Sequence, residues 1–218
     1  MPPRFSQSYK ANLKLTEEQR EVLVGILLGD GCLETQTNGR TYRLKIEQSV
    51  QHEAYVRHLY DLFESWVSTP PKQLIVKASN GAETKSWTFQ TISHGTFRFY
   101  GQQYYCDRKK HVPKLIHRWL TPRSLAYWYM DNGSMKSSQS KGVILNTQCF
   151  ERNDVYRLID VLNDQFILKA KLREQKDGYQ IYVSGSSLEV LTNWIEPYLI
   201  SEMRYKLPTA RRTHLPKE

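Results

Sequence analysis

Residues 16–28 carry apolar side chains in a block too dense for an ordinary amphipathic helix. Val22, Leu23, Val24, Ile26, Leu27 and Leu28 cover nearly every side of the helical turn. Thr16, with Gln19 three places on, makes a capping box, and Glu17 and Glu18 fall in the first turn, where the helix dipole favours acids. The pattern predicts a buried helix packed against another helix. Gly25 lies inside it at a cost of roughly 1 kcal/mol relative to Ala, which the close approach of a partner helix would explain. Gly29 ends the run.

Alternation then replaces the helical period. Tyr42, Leu44 and Ile46 are apolar, while Thr41, Arg43, Lys45 and Glu47 are polar. Asn38-Gly39 is the strongest short turn signal, so a hairpin is predicted from Leu33–Gln36 into this return strand. One face is buried and one is cationic. The cationic face has two readings, a solvated surface or a ribbon that fits a DNA major groove. Residues 52–67 return to helical spacing through Tyr55, Val56, Leu59, Leu62, Phe63 and Trp66, and Pro70-Pro71 stop them. A second hairpin is expected from Gln73–Lys77 and Ser86–Ile92, turning near Asn80-Gly81. A short helix over Thr96–Tyr105 and a basic loop from Arg108 to Pro113 follow.

The same order then runs again. Thr121 caps and Pro122 opens a second buried helix through Leu125–Met130. Val143–Phe150 is strand-like, and Val155, Leu158, Ile159 and Leu162 mark an amphipathic helix over Asp154–Phe166. Leu168–Arg173 and Tyr179–Val183 pair around Asp177-Gly178, and Leu188–Leu199 is a final helix. Both buried helices end on an acidic signature: Leu28-Gly29-Asp30-Gly31 and Met130-Asp131-Asn132-Gly133, with Asp30 and Asn132 102 positions apart. Gln48 and Gln148 lie 100 apart, Lys110 and Lys206 96 apart. Near-equal offsets at three elements indicate a duplicated unit. The organisation read from this is a basic N-terminal arm over 1–14, taken as loose, halves over 15–118 and 119–210, and a basic tail over 211–218.

Composition narrows the partners. The chain has 218 residues, with 31 Lys and Arg against 22 Asp and Glu, a formal charge of +9. Nucleic acid is the leading ligand for such an excess. Aromatic residues make up 12% of the chain, which argues against disorder. The three cysteines are far apart and form no Cys-x-x-Cys pair, and no His-x-x-x-His pair exists, so neither a zinc site nor a disulfide framework is indicated. No apolar run reaches membrane-spanning length and no signal-peptide core is seen, so a soluble protein without membrane partners is expected.

Two acidic helix ends in a basic protein suggest phosphodiester cleavage. A helix C-terminus offers free carbonyls and an acid adds an anionic oxygen, a donor set suited to magnesium. Asp30 with the Gly29 carbonyl fits one half of such a centre. A lysine near a metal-bound water polarises it or stabilises developing charge, the role open to Lys110 and Lys206, which equally suit plain phosphate contact. Arg40, Arg43 and Lys45 are the expected base readers, and Lys72, Lys77, Lys85, Lys136, Lys141, Lys171 and Arg173 join them as cationic residues on or beside the ribbons.

The two nine-residue stretches Leu23–Gly31 and Leu125–Gly133 resemble the paired signature of LAGLIDADG homing endonucleases of the single-chain, double-motif type. The segments LGDGCL (28–33), GRTYRLKIEQS (39–49), YDLFESWVSTPPK (60–72), Trp119–Gly133, VILNTQCF (143–150) and PYLISEMRYKLP (197–208) carry the resemblance over residues 16–210. It implies an α+β fold of two αββαββα halves in a pseudo-two-fold monomer, with antiparallel sheets forming a saddle on double-stranded DNA. It also implies double-strand cleavage at one long, rare site with Mg2+, for which Mn2+ or Ca2+ substitutes in binding. By position, Asp30 is a catalytic metal ligand, Lys110 and Lys206 are the active-site lysines, and Asp131 mainly lends its backbone carbonyl. The second catalytic acid falls on Asn132, which keeps an oxygen donor but lacks the charge. Three readings stay open there: an Asp→Asn exchange that traps uncut DNA, natural use of the amide with help from Asp131, or a binding-only protein or intron-RNA maturase. Intron coding would place the protein in a mitochondrion or chloroplast, or otherwise in a bacterial cytoplasm.

Overall fold

The structure, a computed structural model, describes residues 6–77, 81 and 83–208. A short helix α1 (Gln7–Asn12) opens it, capped by the Ser6 hydroxyl. Helix α2 (Glu17–Leu28) leads into strands β1 (Cys32–Glu34) and β2 (Arg43–Ser49), then helix α3 (Glu53–Phe63), strands β3 (Lys72–Lys77) and β4 (Glu83–Gln90) and helix α4 (Arg98–Tyr104). A small hairpin, β5 (Tyr105–Cys106) with β6 (Lys109–Lys110), and a single helical turn α5 (Ile116–Trp119) connect to the second half. There the order returns: α6 (Pro122–Asn132), β7 (Gly133–Met135), β8 (Val143–Asn146), α7 (Arg152–Asp164), β9 (Ala170–Gln175), β10 (Gly178–Val183) and α8 (Leu188–Ile195). Each half reads αββαββα, as expected.

The sheets have matching topology. Their orders are β1-β2-β4-β3 and β7-β8-β10-β9, with every neighbouring pair antiparallel. Alternation puts Leu44, Ile46 and Phe89 of one sheet, and Val143, Leu145, Ile181 and Val183 of the other, on the buried side. The amphipathic helices α3 and α7 cover these faces through Tyr55, Val56, Leu59 and Phe63, and through Val155, Leu158 and Leu162.

Register corrects one sequence equivalence. Cys32 pairs with Lys45, which sets Gly31 opposite Ile46, whereas Gly133 pairs with Leu145. The offset is therefore 102 on the central helices but 99 on the second strand, because the loop between the strands is three residues shorter in the second half. The counterpart of Gln48 is Thr147, fully buried, and not Gln148.

Three further expectations change. The N-terminal arm is helical over Gln7–Asn12 and is anchored: the Tyr9 hydroxyl donates to Ser65 O at 3.0 Å and His94 Nε2 to Lys10 O at 3.0 Å. The strand expected over Val143–Phe150 stops at Asn146, because the Phe150 N–H turns back to Thr147 O and the Thr147 hydroxyl donates to Tyr179 O. The basic loop is the β5–β6 hairpin, with Asp107 and Arg108 at φ 48° and 64° in its turn. Gly81 has the positive φ expected of its turn, while Asn80 and residues 1–5 and 209–218, including the whole basic tail, lie outside the described residues.

Candidate active site

The acidic helix ends meet because α2 and α6 interlock small against large. Gly25 and Gly29, four apart on α2, face Tyr127 and Asp131, four apart on α6. A Cβ on Gly25 would stand 2.3 Å from Ser124 O and 2.9 Å from Tyr127 Cβ. On Gly29 it would stand 2.2 Å from Asp131 Oδ2. Only glycine permits this approach at either position. Both helices run toward the same end, where Asp30, Asp131 and Asn132 gather.

Hydrogen bonds tie the two ends together. The Asp30 N–H donates to Asp131 Oδ2 at 2.9 Å. Gln48 Nε2 donates to Asp30 Oδ2 at 2.9 Å and to Asp131 Oδ1 at 3.2 Å, so one amide bridges both carboxylates. Asp131 keeps some surface open, but its carboxyl is crowded by protein on every side. Burial first, and the Asp30 charge second, push its pKa up to about 8, against the pull of the Asp30 N–H and of Lys206. The buried Tyr55 hydroxyl lies near the same carboxyl without reaching hydrogen-bond geometry.

Asn132 contributes an unsatisfied acceptor. Its Oδ1 is buried with no hydrogen-bond partner, a state that costs about 1–3 kcal/mol when nothing else fills it. Its carbonyl accepts from Asn146 Nδ2 at 3.1 Å, and Asn146 Oδ1 accepts from Gln180 Nε2 at 2.7 Å. The two lysines sit on helix-end carbonyls. Lys110 Nζ donates to Gly29 O at 2.7 Å and Gly31 O at 2.9 Å, and Lys206 Nζ to Asp131 O at 3.0 Å and to Met130 O. Burial lowers the pKa of both lysines. The Asp131 carbonyl thus accepts from Lys206, while its carboxylate links the two helix ends through the Asp30 N–H and Gln48.

Three residues here were not expected at the site, Gln48 having served only as a marker of the repeat. Gln48 was legible as a polar residue on the apolar phase of Leu44-x-Ile46-x-Gln48. His52 Nδ1 lies 3.3 Å from Gln48 Oε1 and its Nε2 3.1 Å from the Tyr205 hydroxyl. Nothing in the local sequence marked either His52 or Tyr205.

The donors at the helix ends are all hard oxygens: the Asp30 and Asp131 carboxylates, the orphan Asn132 Oδ1 and backbone carbonyls. Such a set fits magnesium or manganese and not zinc. No cluster of three or more His, Cys, Asp or Glu suited to a metal occurs among the described residues. A divalent ion held by these donors would take its remaining ligands from phosphate oxygens and water.

The cationic ribbons divide by face. Arg43, Lys45 and Lys72 share the face turned away from the helices, where Arg43 pairs with Glu34 at 2.7 Å and Lys45 with Glu47 at 3.0 Å. On the second sheet Lys171 and Arg173 share the corresponding face with Gln180 and Tyr182, and Lys136 and Lys171 lie 5.1 and 5.5 Å from the Tyr182 ring centroid. Lys77 and Lys85 fall on the other parity, with Trp87, and Lys77 pairs with Glu83 at 3.0 Å. Arg40 and Lys141 are exposed in loops. No described helix is long and apolar enough to cross a membrane.

Comparison with known proteins agrees with this geometry. The profile of the LAGLIDADG DNA endonuclease family matches residues 20–191. A probable intron-encoded endonuclease of Wickerhamomyces canadensis is 33% identical over 198 residues, spanning 88% of this chain and 85% of that one. A cytochrome b mRNA maturase bI2 of Debaryomyces hansenii is 30% identical over 201 residues, spanning 90% and 76%. The solved structure of the homing endonuclease I-WcaI bound to its DNA recognition sequence superposes with a TM-score of 0.86 at 32% identity, over 92% of this chain and 91% of that one. I-DmoI in complex with DNA and Mn shares the fold at 14% identity and a TM-score of 0.50, over 83% and 97% of the chains.

Proposed function

Since the chain belongs to the LAGLIDADG DNA endonuclease family and is a homing-endonuclease homologue, we propose that it acts as a single-chain, site-specific nuclease on double-stranded DNA, reading a long target through its two ribbons and cutting at the joined helix ends. The carrying observation is the joining of the Asp30 and Asp131 ends, beside the orphan acceptor of the next residue, Asn132, with a half-buried lysine on the end carbonyls of each helix. Asp30 and Asn132 hold a divalent cation, with carbonyls such as those of Gly29 and Asp131 beside them. Bound magnesium, for which Mn2+ or Ca2+ substitutes in binding, supplies phosphate charge neutralisation and an activated water. Gln48 fixes the Asp30 carboxylate. Lys110 and Lys206 place positive charge where the leaving oxygen becomes anionic. The manganese in the I-DmoI structure supports the choice of ion class.

Lacking the second charge, the Asn132 centre binds the cation more weakly and cuts its strand more slowly. The test is a magnesium-dependent assay on supercoiled plasmids carrying candidate targets, starting with the junction of the exons that flank the coding intron. Nicked product from the natural chain and linear product from Asn132→Asp are expected. No cleavage by Asn132→Asp at a target the protein binds would overturn the reading.

The maturase relative and the missing acid at 132 favour a second reading, intron-RNA binding. Tighter binding to intron RNA than to the intronless DNA junction would select it. The intron-encoded relative supports an intron-borne coding frame, and so an organelle or bacterial host.

A further inference from the structure

Lys110 reaches the first acidic end from a connector outside both sheets. The β5–β6 hairpin carries it, and the chain leaves through Val112 toward α5. A long flexible lysine is only as well placed as the backbone beneath it. That backbone is gripped from the second half of the molecule. Asp154 on α7, 9% exposed, accepts the Val112 N–H at 3.0 Å. Arg157, one turn further along α7, donates to the Val112 carbonyl at 2.9 Å and to Asp154 at 2.7 Å. Glu151, just before α7, pairs with Lys109. Both polar backbone groups of one residue, two places beyond Lys110, are therefore taken by a single ion pair at i and i+3.

Helix α7 does not need this pair for its own packing. At the 99-residue offset the buried positions of α3 and α7 match: Val56 with Val155, Leu59 with Leu158, Phe63 with Leu162. Asp154 then stands where the first half has Tyr55. A largely buried carboxylate is expensive unless bonded, and here its bonds go to Arg157 and the connector.

We propose that Asp154 and Arg157 are positioning residues for Lys110, clamping the connector from the second half so that the first centre is complete only when the halves are docked. The proposal rests on the role given to Lys110 above. Lys206 is held differently, with Tyr129 donating to its carbonyl at 2.8 Å and Tyr205 bonded to His52, and serves as the internal control.

The test uses the full chain without DNA, as Asp154→Asn and, on the more exposed partner, Arg157→Gln. Amide exchange across residues 109–113 and acylation of individual lysines are followed by mass spectrometry. Segment 109–113 is expected to exchange on the order of tenfold faster, consistent with loss of a charge-assisted bond. Lys110 should acylate faster while Lys206 does not change. With target DNA, one strand's cleavage falls and the other's is kept. Unchanged exchange and Lys110 labelling in both variants would overturn the clamp, as would equal acceleration at Lys110 and Lys206, which marks general loosening. Selective release of Lys110 in a protein that cuts no DNA supports the clamp and counts only against the nuclease reading.

Discussion

Gly25 and Gly29 meet α6 at nearly the same distance, so a methyl group at either should cost stability, and at Gly29 it should also displace a carboxylate of the site. At Gly25 the new Cβ would stand 2.3 Å from a backbone carbonyl, Ser124 O, inside helix α6. Van der Waals contact between heavy atoms lies near 3.5 Å, so the two helices must part by about 1 Å along most of their length. Overpacking of this kind costs typically 1–3 kcal/mol, at the upper end where backbone is the obstacle. Replacing a helical glycine returns roughly 0.5–1 kcal/mol. The net for Gly25→Ala is a loss of about 2 kcal/mol, or roughly 4–8 °C in Tm for a chain of this size. At Gly29 the new Cβ would stand 2.2 Å from Asp131 Oδ2 and 2.5 Å from Asp131 Cβ, which is fixed to the α6 backbone. The carboxylate can turn aside but the Cβ cannot, so the helix ends must part here too, at a cost of about 1–3 kcal/mol. The carboxylate then leaves the Asp30 N–H and Gln48, and a displacement of about 1 Å in a catalytic site can cost on the order of 100-fold in rate. Thermal melts paired with cleavage rates on one bound target separate the two effects. A Gly25→Ala protein that melts at or above the parent temperature, or a Gly29→Ala protein that cuts at full rate, would refute this account of the interface.

In metal-free protein, Asp131 binds a proton in the folded state up to about pH 8 that the unfolded chain releases near 3.8, so stability contributed by this group falls as pH rises through that window. Denaturant melts in EDTA at pH 5 and pH 8 should show the fall, and Asp131→Asn should flatten it; an unaltered slope in the variant sinks the assignment. Lys171, exposed on the face shared with Arg173, is expected to contact phosphate. Lys171→Ala should then reduce the slope of log K against log salt by about 0.9 without changing preference among target variants, and a changed preference at constant slope would assign Lys171 to base reading.

Much of the path was written in periodicity. The dense apolar run of α2, its capping box, the alternation of β2 and the turn at Gly178 each dictate a local geometry that the chain adopts. What could not be read were the contacts that depend on distance through space. The residue that touches Asp30 is Asp131, one place before the aligned position, because the interlock of Gly29 with Asp131 is a property of two helices and not of either sequence. The shortened β8 follows from Thr147 bonding across to Tyr179, and the 99-residue register from a loop-length difference that spacing alone hides. Asp154 looked like one more acid near the start of a helix. Its meaning comes from Val112, 42 residues earlier in the chain.

The duplication keeps path and changes chemistry, and packing explains why it must. Gly25 faces Tyr127 and Gly29 faces Asp131, so at both levels of the interface the small residue is on α2 and the large one on α6. Asp at both 29 and 131 would set two carboxyls in the space that now holds one. An interface this close can therefore carry one carboxylate at its axis. Gln48 comes from the first half to bridge it to Asp30, while Thr147, its counterpart, turns into its own sheet. On the proposed reading the first centre has a charged ligand, a bridging amide and a clamped lysine, and the second an amide oxygen and Lys206. The amide at 132 then falls on the centre with less support around it, and the two strands of a bound duplex would meet unequal chemistry from one fold.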